Sequence, residues 1–200
     1  MTRFLPGILA MAAIVAASNI LVQFVLGDWL TWGAFTYPFA FLVTDVMNRV
    51  HGPAAARRVV AAGFVVGVAC SLVAAGMGLT TLRIAVASGA AFLAAQLTDI
   101  AIFDRLRGGA WWRAPLASSL AGSALDTALF FGIAFSALLP ADGNTGWANE
   151  AAPLLGQGPG APLWVSLAVA DWLVKLCLAL LALVPFRMIV RNLLRSAQES

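Results

Sequence analysis

Charged residues are scarce in this chain of 200 residues. They make up 10% of it, whereas hydrophobic residues make up 62%. Soluble domains carry about 25% charged residues, so this composition argues against a water-soluble protein. The net charge is +3, but the basic residues form no stripe interleaved with aromatic residues, and we expect no nucleic-acid partner.

Histidine and cysteine are equally scarce. The one histidine, His51, and the two cysteines, Cys70 and Cys177, form no metal-binding motif. A structural zinc site uses about four nitrogen or sulfur ligands, and these three side chains are too few. No histidine lies in an apolar run to activate a serine, so a serine–histidine nucleophile is absent. We therefore expect no metal, no cofactor and no catalytic residue.

Long apolar runs are what the sequence has instead. Runs of about 20 residues with few charges are typical of transmembrane helices, and six are predicted, at 5–26, 31–47, 59–79, 84–103, 115–139 and 163–186. The first run is longer than the apolar region of a signal peptide, so a helix is favoured there. The predicted fold class is all-α: a polytopic membrane protein with one domain over 1–200 and an irregular external loop at 140–162.

The distribution of arginines predicts the orientation. Ten of the eleven arginines fall on one side of the six spans. The positive-inside rule places that side, with both termini, on the cytoplasmic face of a bacterial inner membrane. Arg83 lies on the other side. We expect it to line the binding pocket or its outer gate, unless it only pairs with Asp28 or lipid headgroups.

The second apolar run is short and contains Gly33 and Pro38. It is either a short tilted span or a broken segment. Broken backbone at membrane depth lines a cavity or packs against protein, so the broken alternative predicts a pocket near Phe35, Thr36 and Tyr37.

Polar side chains within the runs are the candidate functional residues. A charge at the bilayer centre costs about 2.5 to 3.5 kcal/mol, so such residues usually line a pathway or pair with one another. They recur three or four residues apart, on one helix face: Asn19 with Gln23, Asp45 with Asn48, Gln96 with Asp99, Ser123 with Asp126, and Asp171 with Lys175. Asp126 has no cation within reach on its own helix and is the candidate central carboxylate.

Buried carboxylates outnumber buried cations. Asp45, Asp99, Asp126 and Asp171 face only Lys175 and the peripheral Arg83. Structural pairing is the alternative: Asp45 with Arg49, Asp171 with Lys175, and Asp99 with a cytoplasmic arginine near the end of its helix. A donor-rich or cationic ligand, or bound protons, would fill the remaining deficit.

Short motifs occur along nearly the whole chain: Thr31-Trp32-Gly33-Ala34-Phe35, Phe41-Leu42-x-Thr44-Asp45, Ala56-Arg57-Arg58, Gln96-x-x-Asp99, Trp111-Trp112-x-Ala114-Pro115, Asp126-Thr127, and Asp171 with Lys175. In these motifs the chain resembles the queuosine precursor transporter family, once called vitamin uptake transporters. The resemblance implies a six-helix importer that binds 7-cyano-7-deazaguanine or 7-aminomethyl-7-deazaguanine between its helices near the midplane.

The resemblance and the polar pattern together give ten candidate substrate-binding residues: Asn19, Gln23, Phe35, Asp45, Arg83, Gln96, Asp99, Asp126, Asp171 and Lys175. The expected partners are the small-molecule substrate and the lipid bilayer, and a homo-oligomer is possible. The alternative is a substrate-capture subunit of an ATPase-energised uptake complex. Ala12-x-x-x-Ala16 offers a packing face for such a partner, but packing within the chain explains it equally well.

Overall fold

The computed structural model describes residues 4–22, 24–140 and 145–199. The α-helices of these residues are α1 (Leu5–Leu21), α2 (Gly33–Thr36), α3 (Phe39–His51), α4 (Pro53–Gly76), α5 (Leu82–Leu106), α6 (Arg113–Phe135) and α7 (Leu163–Glu199). Two antiparallel hairpins pair β1 (Val25–Leu26) with β2 (Leu30–Thr31), and β3 (Ala151–Pro153) with β4 (Gly160–Pro162). Short 3-10 helices cover Gly146–Asn149 and Leu154–Gly156.

Among the described residues, four helices are long and apolar enough to cross a bilayer: α4, α5, α6 and α7. The prediction of an all-α membrane protein is confirmed. These helices coincide with the spans predicted at 59–79, 84–103, 115–139 and 163–186, with ends displaced by several residues. The apolar α1 has 17 residues, which is about 26 Å of helix.

The first predicted span extends too far because apolar residues also form a hairpin. It is predicted to end near residue 26, but α1 ends at Leu21 and the hairpin of Val25–Leu26 with Leu30–Thr31 follows. The segment 140–162 is predicted to be mostly irregular, and its described part contains only the short β3–β4 hairpin and two 3-10 helices. Hydropathy measures only how apolar a segment is, and it does not distinguish a short apolar hairpin from the end of a helix.

The second predicted span, 31–47, is broken. Helix α2 ends at Thr36 and α3 begins at Phe39, so Tyr37 and Pro38 separate two helices. Proline lacks the N–H that a continuing helix needs, which explains an interruption here. The broken alternative is confirmed, and the break brings Tyr37 to buried polar residues of α6.

Local signals determine where the next helices start. Gly52 alone connects α3 to α4, with a φ of 85° that glycine adopts without strain. Pro53 is the first residue of α4, where its missing N–H costs nothing. The Thr81 hydroxyl accepts a hydrogen bond from the Ile84 N–H at 3.2 Å and caps α5.

Helices α1 and α4 pack closely through Gly63-x-x-x-Gly67 on α4. A Cβ added at Gly63 would lie 2.5 Å from Met11 Cγ, and one added at Gly67 would lie 3.0 Å from Val15 Cγ1. Met11 is fully buried and Val15 is 3% exposed. Small residues allow such close approach between helices in a membrane, so the glycines of α4 form the packing face for α1.

We expect Gly63→Ala to lower the thermal stability of the purified protein, because the new methyl group overlaps Met11. Overpacking of this kind costs about 1 to 3 kcal/mol. The matched control is Gly132→Ala on α6, where nothing lies within 4 Å of an added Cβ. Thermal unfolding in detergent compares the two variants, and equal midpoints would show that the α1–α4 contact does not limit stability.

Candidate functional site

A cavity of about 100 Å³ lies between α1, the α2–α3 break, α5, α6 and α7. We call it the polar cavity because seven polar side chains line it: Ser18, Asn19, Tyr37, Ser88, Asp126, Asp171 and Lys175. Five lining residues are apolar or small: Val22, Gly33, Ala34, Ala91 and Phe130. A mostly pre-formed cleft with a few convergent polar groups is typical of a small-molecule site.

Lys175 holds the two carboxylates of the polar cavity. Its Nζ lies 2.7 Å from Asp126 Oδ2 and 2.5 Å from Asp171 Oδ2. It also donates to Thr127 Oγ1 at 3.0 Å, and Thr127 donates to Asp171 Oδ2 at 2.9 Å. Tyr37 donates to Asp126 Oδ1 at 3.3 Å, and Lys175 Nζ lies 5.7 Å from the centre of its ring. The predicted pair of Asp171 and Lys175 is confirmed, and it extends across to α6.

Asp126, Asp171 and Lys175 form a triad whose charge is unbalanced. One ammonium faces two carboxylates, so the triad is negative if all three groups are ionised. Asp126 is 5% exposed and Asp171 is 16% exposed as side chains, so water compensates little of that charge. Each carboxylate oxygen accepts up to two hydrogen bonds, and acceptor capacity remains after the bonds described above. The arrangement therefore suits a ligand with adjacent N–H donors or a positive charge.

A second polar cluster surrounds Asp45. Ser118 donates to Asp45 Oδ1 at 3.2 Å and Ser119 donates to Oδ2 at 3.3 Å. Asp45 also lines a smaller cavity of about 20 Å³, which it shares with Ser119, Ser123 and Lys175. Lys175 thus borders both cavities. Pairing of Asp45 with Arg49 is not observed among the described residues, because Arg49 donates to the carbonyl of Arg107 at 2.6 Å.

Asp99 and Gln96 belong to the same buried cluster. Both side chains are 0% exposed. Gln96 Oε1 accepts a hydrogen bond from Thr44 at 2.5 Å, whereas Gln96 Nε2 and both oxygens of Asp99 have no hydrogen bond of good geometry within the described ranges. Native proteins leave few buried polar atoms unpaired, so this cluster requires an explanation.

The structure brings four of the ten candidate residues together at the polar cavity: Asn19, Asp126, Asp171 and Lys175. Asp45, Gln96 and Asp99 form the neighbouring cluster, and Phe35 packs on Trp32 with ring centres 6.0 Å apart. Gln23 lies outside the described residues. The substrate-binding roles of all ten stay predictions.

Sequence reasoning on single helices missed one contact of Asp126 and one residue that bonds to its partners. It identified no cation for Asp126 because it considered only helix α6, whereas Lys175 reaches Asp126 from α7. It also left Thr127 out of the candidate set. The available signal for Thr127 was its position directly after Asp126. Adjacent residues of a helix can both line a pocket when the helix packs against two neighbouring helices.

Arg83, in the first turn of α5, lies at the carboxyl end of α6. Its guanidinium donates to the carbonyls of Ile133 at 2.7 Å, Ser136 at 2.6 Å and Pro140 at 3.1 Å. These carbonyls lie at or beyond the carboxyl end of α6, where a cation is favoured by the helix dipole. Arg83 is not a lining residue of the polar cavity. Its predicted role at an outer gate stays a prediction.

The chain matches known proteins over most of its length. The family described as "Putative vitamin uptake transporter" matches residues 31–190. The "Queuosine precursor transporter" of Escherichia coli (strain K12) is 32% identical over an aligned length of 200 residues. The alignment covers 90% of this chain and 83% of the relative. The "Probable queuosine precursor transporter" of Haemophilus influenzae is 31% identical over 212 residues, with the same coverage. No solved structure matches the chain.

Proposed function

The chain belongs to the vitamin uptake transporter family, and from this premise we propose that it imports queuosine precursors into the cytoplasm. It is a multi-pass protein of the bacterial inner membrane and a transporter, not an enzyme. The observation that supports the proposed substrate is the polar cavity, in which one lysine leaves two carboxylates with unused acceptor capacity.

The proposed substrates are 7-cyano-7-deazaguanine and 7-aminomethyl-7-deazaguanine. Both have a guanine-like edge, on which a ring N–H and an exocyclic amine are adjacent donors that one carboxylate accepts together. We assign this edge to Asp126, which lies near the middle of α6 and beside the Tyr37 ring. Asp171, the more exposed carboxylate, suits the ammonium of the aminomethyl form. Lys175 or Asn19 supplies a donor for the nitrile.

The proposed topology has six spans with both termini in the cytoplasm. Helices α1 and α4 to α7 each form one span, and α2 and α3 together form the broken one. From Gly33 to His51 the broken span has a length of about 28 Å, close to the bilayer core. The arginines at one end of these spans support the orientation. The polar cavity, bordered by Asn19 and Ser88, then faces the outside, as does the segment 140–162 of the single domain.

Uptake by this chain alone tests the proposed function. In cells that lack precursor synthesis and any related transporter, expression of the chain should restore queuosine in tRNA when either precursor is supplied. Purified chain in proteoliposomes should exchange labelled precursor without ATP. If exchange requires an added ATPase subunit, the alternative of a substrate-capture subunit replaces the proposal.

We expect Arg83→Gln to lower the thermal stability and to leave the substrate affinity nearly unchanged. The substitution leaves carbonyls at the carboxyl end of α6 without their charged donor. Loss of such hydrogen bonds costs about 1 to 3 kcal/mol. Arg191→Gln, on the exposed end of α7, is the control. Thermal unfolding and precursor affinity are measured for both. A loss of affinity at unchanged stability would instead support the gate.

A further inference from the structure

Asp45 on α3 and Asp99 on α5 form a buried pair of carboxyl groups outside the proposed substrate site. Asp45 is 3% exposed and Asp99 is 0% exposed. Both lie against the same stretch of α6, because Ser118 and Ser119 contact Asp45 and a Cβ added at Gly122 would lie 3.4 Å from Asp99 Cβ. Serines of α6 donate hydrogen bonds to Asp45. In the described part of the chain no hydrogen bond of good geometry reaches either oxygen of Asp99. A buried acceptor without a well-aligned donor requires an explanation, and a bound proton is one.

No cation forms a salt bridge with this pair in residues 4–22, 24–140 and 145–199. Arg49 and Arg107 lie near it but donate to the carbonyls of Arg107 and Asn48. Lys175 is held by the two carboxylates of the polar cavity. The other charged side chains and the histidine on α3 to α7 are His51, Arg57, Arg58, Arg83, Asp104, Arg105, Arg113, Arg187, Arg191, Arg195 and Glu199.

A proton fits this site better than a metal ion does. Two adjacent buried carboxylates repel each other, and one shared proton removes the repulsion and supplies the donor that Asp99 lacks. A hydrated cation needs space and several oxygen ligands. The packing is close: a Cβ added at Gly122 would lie 2.8 Å from Phe41 Cε1 and 3.4 Å from Asp99 Cβ. No group of three potential metal ligands occurs among the described residues.

We propose that Asp45 and Asp99 share a proton that enters from the outside and leaves to the cytoplasm with each imported precursor, so that transport is proton-coupled. The inference rests on the proposed function. In the loaded state one carboxyl of the pair is protonated and the pair carries one negative charge. Release leaves two negative charges and transfers the proton to cytoplasmic water, while no bond of the substrate changes.

Lys175 provides the physical link between substrate and proton, because it borders both cavities. Contact of one charged side chain with both cavities lets a change of charge in one cavity act on the other. Import of the precursor together with a proton requires that binding of one favours binding of the other.

Purified full-length chain in proteoliposomes, with labelled 7-cyano-7-deazaguanine, separates transport from coupling. Exchange of label at equal concentrations measures transport alone. Accumulation under an imposed pH gradient, with the membrane potential held at zero, measures coupling. One-to-one coupling predicts about tenfold accumulation per pH unit, because the substrate ratio balances the proton ratio. Absence of exchange overturns the proposed function. Exchange without a response to the pH gradient, or accumulation driven by a sodium gradient instead, overturns only the coupling.

Asp99→Asn keeps the size of the side chain but removes the shared proton. We expect no accumulation under the pH gradient, and the same for Asp45→Asn, while exchange of label at equal concentrations shows whether each variant still transports. The matched control is Asp104→Asn on the same helix, because the side chain of Asp104 is 42% exposed. This variant should accumulate precursor like the wild type. Accumulation by Asp99→Asn at the wild-type level would overturn the proposal.

A measurement on the wild type covers the case in which the variants do not fold. Adding precursor outside weakly buffered proteoliposomes should make the external medium more alkaline, as recorded with a pH-sensitive dye. One proton should enter per precursor. Precursor entry without proton entry would overturn the shared-proton site regardless of how the variants behave.

Discussion

Asp126→Asn should reduce the affinity for both precursors by roughly thirtyfold to a thousandfold. The amide keeps the size of the side chain but replaces one acceptor oxygen with an NH₂ donor, so it cannot accept both donors of a guanine-like edge. Losing a charge-assisted hydrogen bond and leaving a buried donor unpaired costs about 2 to 4 kcal/mol. The triad should stay folded, because Lys175 keeps Asp171 as its partner at 2.5 Å.

Uptake and binding of each precursor are measured for Asp126→Asn at matched expression, with Asp104→Asn as the control for the substitution itself. The nitrile and aminomethyl forms should lose affinity together, because they share the guanine-like edge. Loss of the aminomethyl form alone would mean that Asp126 binds the ammonium. Normal transport of both forms by well-folded protein would show that the assignment of Asp126 is wrong.

Lys175→Met should destabilise the protein more than any other substitution in the triad. It leaves Asp126 and Asp171 without their cation, and removing one partner of a buried ion pair costs about 3 to 5 kcal/mol. Asp171→Asn should cost less, because Lys175 retains Asp126 at 2.7 Å. The triple variant Lys175→Met, Asp126→Asn and Asp171→Asn should recover much of the stability that Lys175→Met loses, since no buried charge remains unpaired.

Thermal unfolding of the single, double and triple variants in detergent gives the coupling between these residues. Arg195→Met, at the exposed end of the same helix, is the control and should unfold like the wild type. Purely additive losses would mean that the three side chains act separately. They would then contradict the triad as an energetic unit.

Much of the fold was predictable because long apolar runs are the property that the bilayer selects. The runs at 59–79, 84–103, 115–139 and 163–186 became α4 to α7. Helical spacing also identified Asp171 with Lys175, since residues four apart share a helix face. The remainder depends on neighbours from other helices. The contact of Lys175 with Asp126 and the contacts of Arg83 with carbonyls of residues 133–140 join segments about 50 residues apart. No periodicity along one helix contains that information.

The broken α2–α3 segment also has a consequence for how the protein is made. Helix α3 has 13 residues, among them Asp45, Asn48 and Arg49, so even together with α2 it is a polar span that enters the bilayer poorly by itself. Gly52 joins it directly to the 24-residue, apolar α4. We therefore expect α3 and α4 to be inserted together as a helical hairpin. A nascent chain that stops near residue 52 would leave the second span in water until α4 has been synthesised.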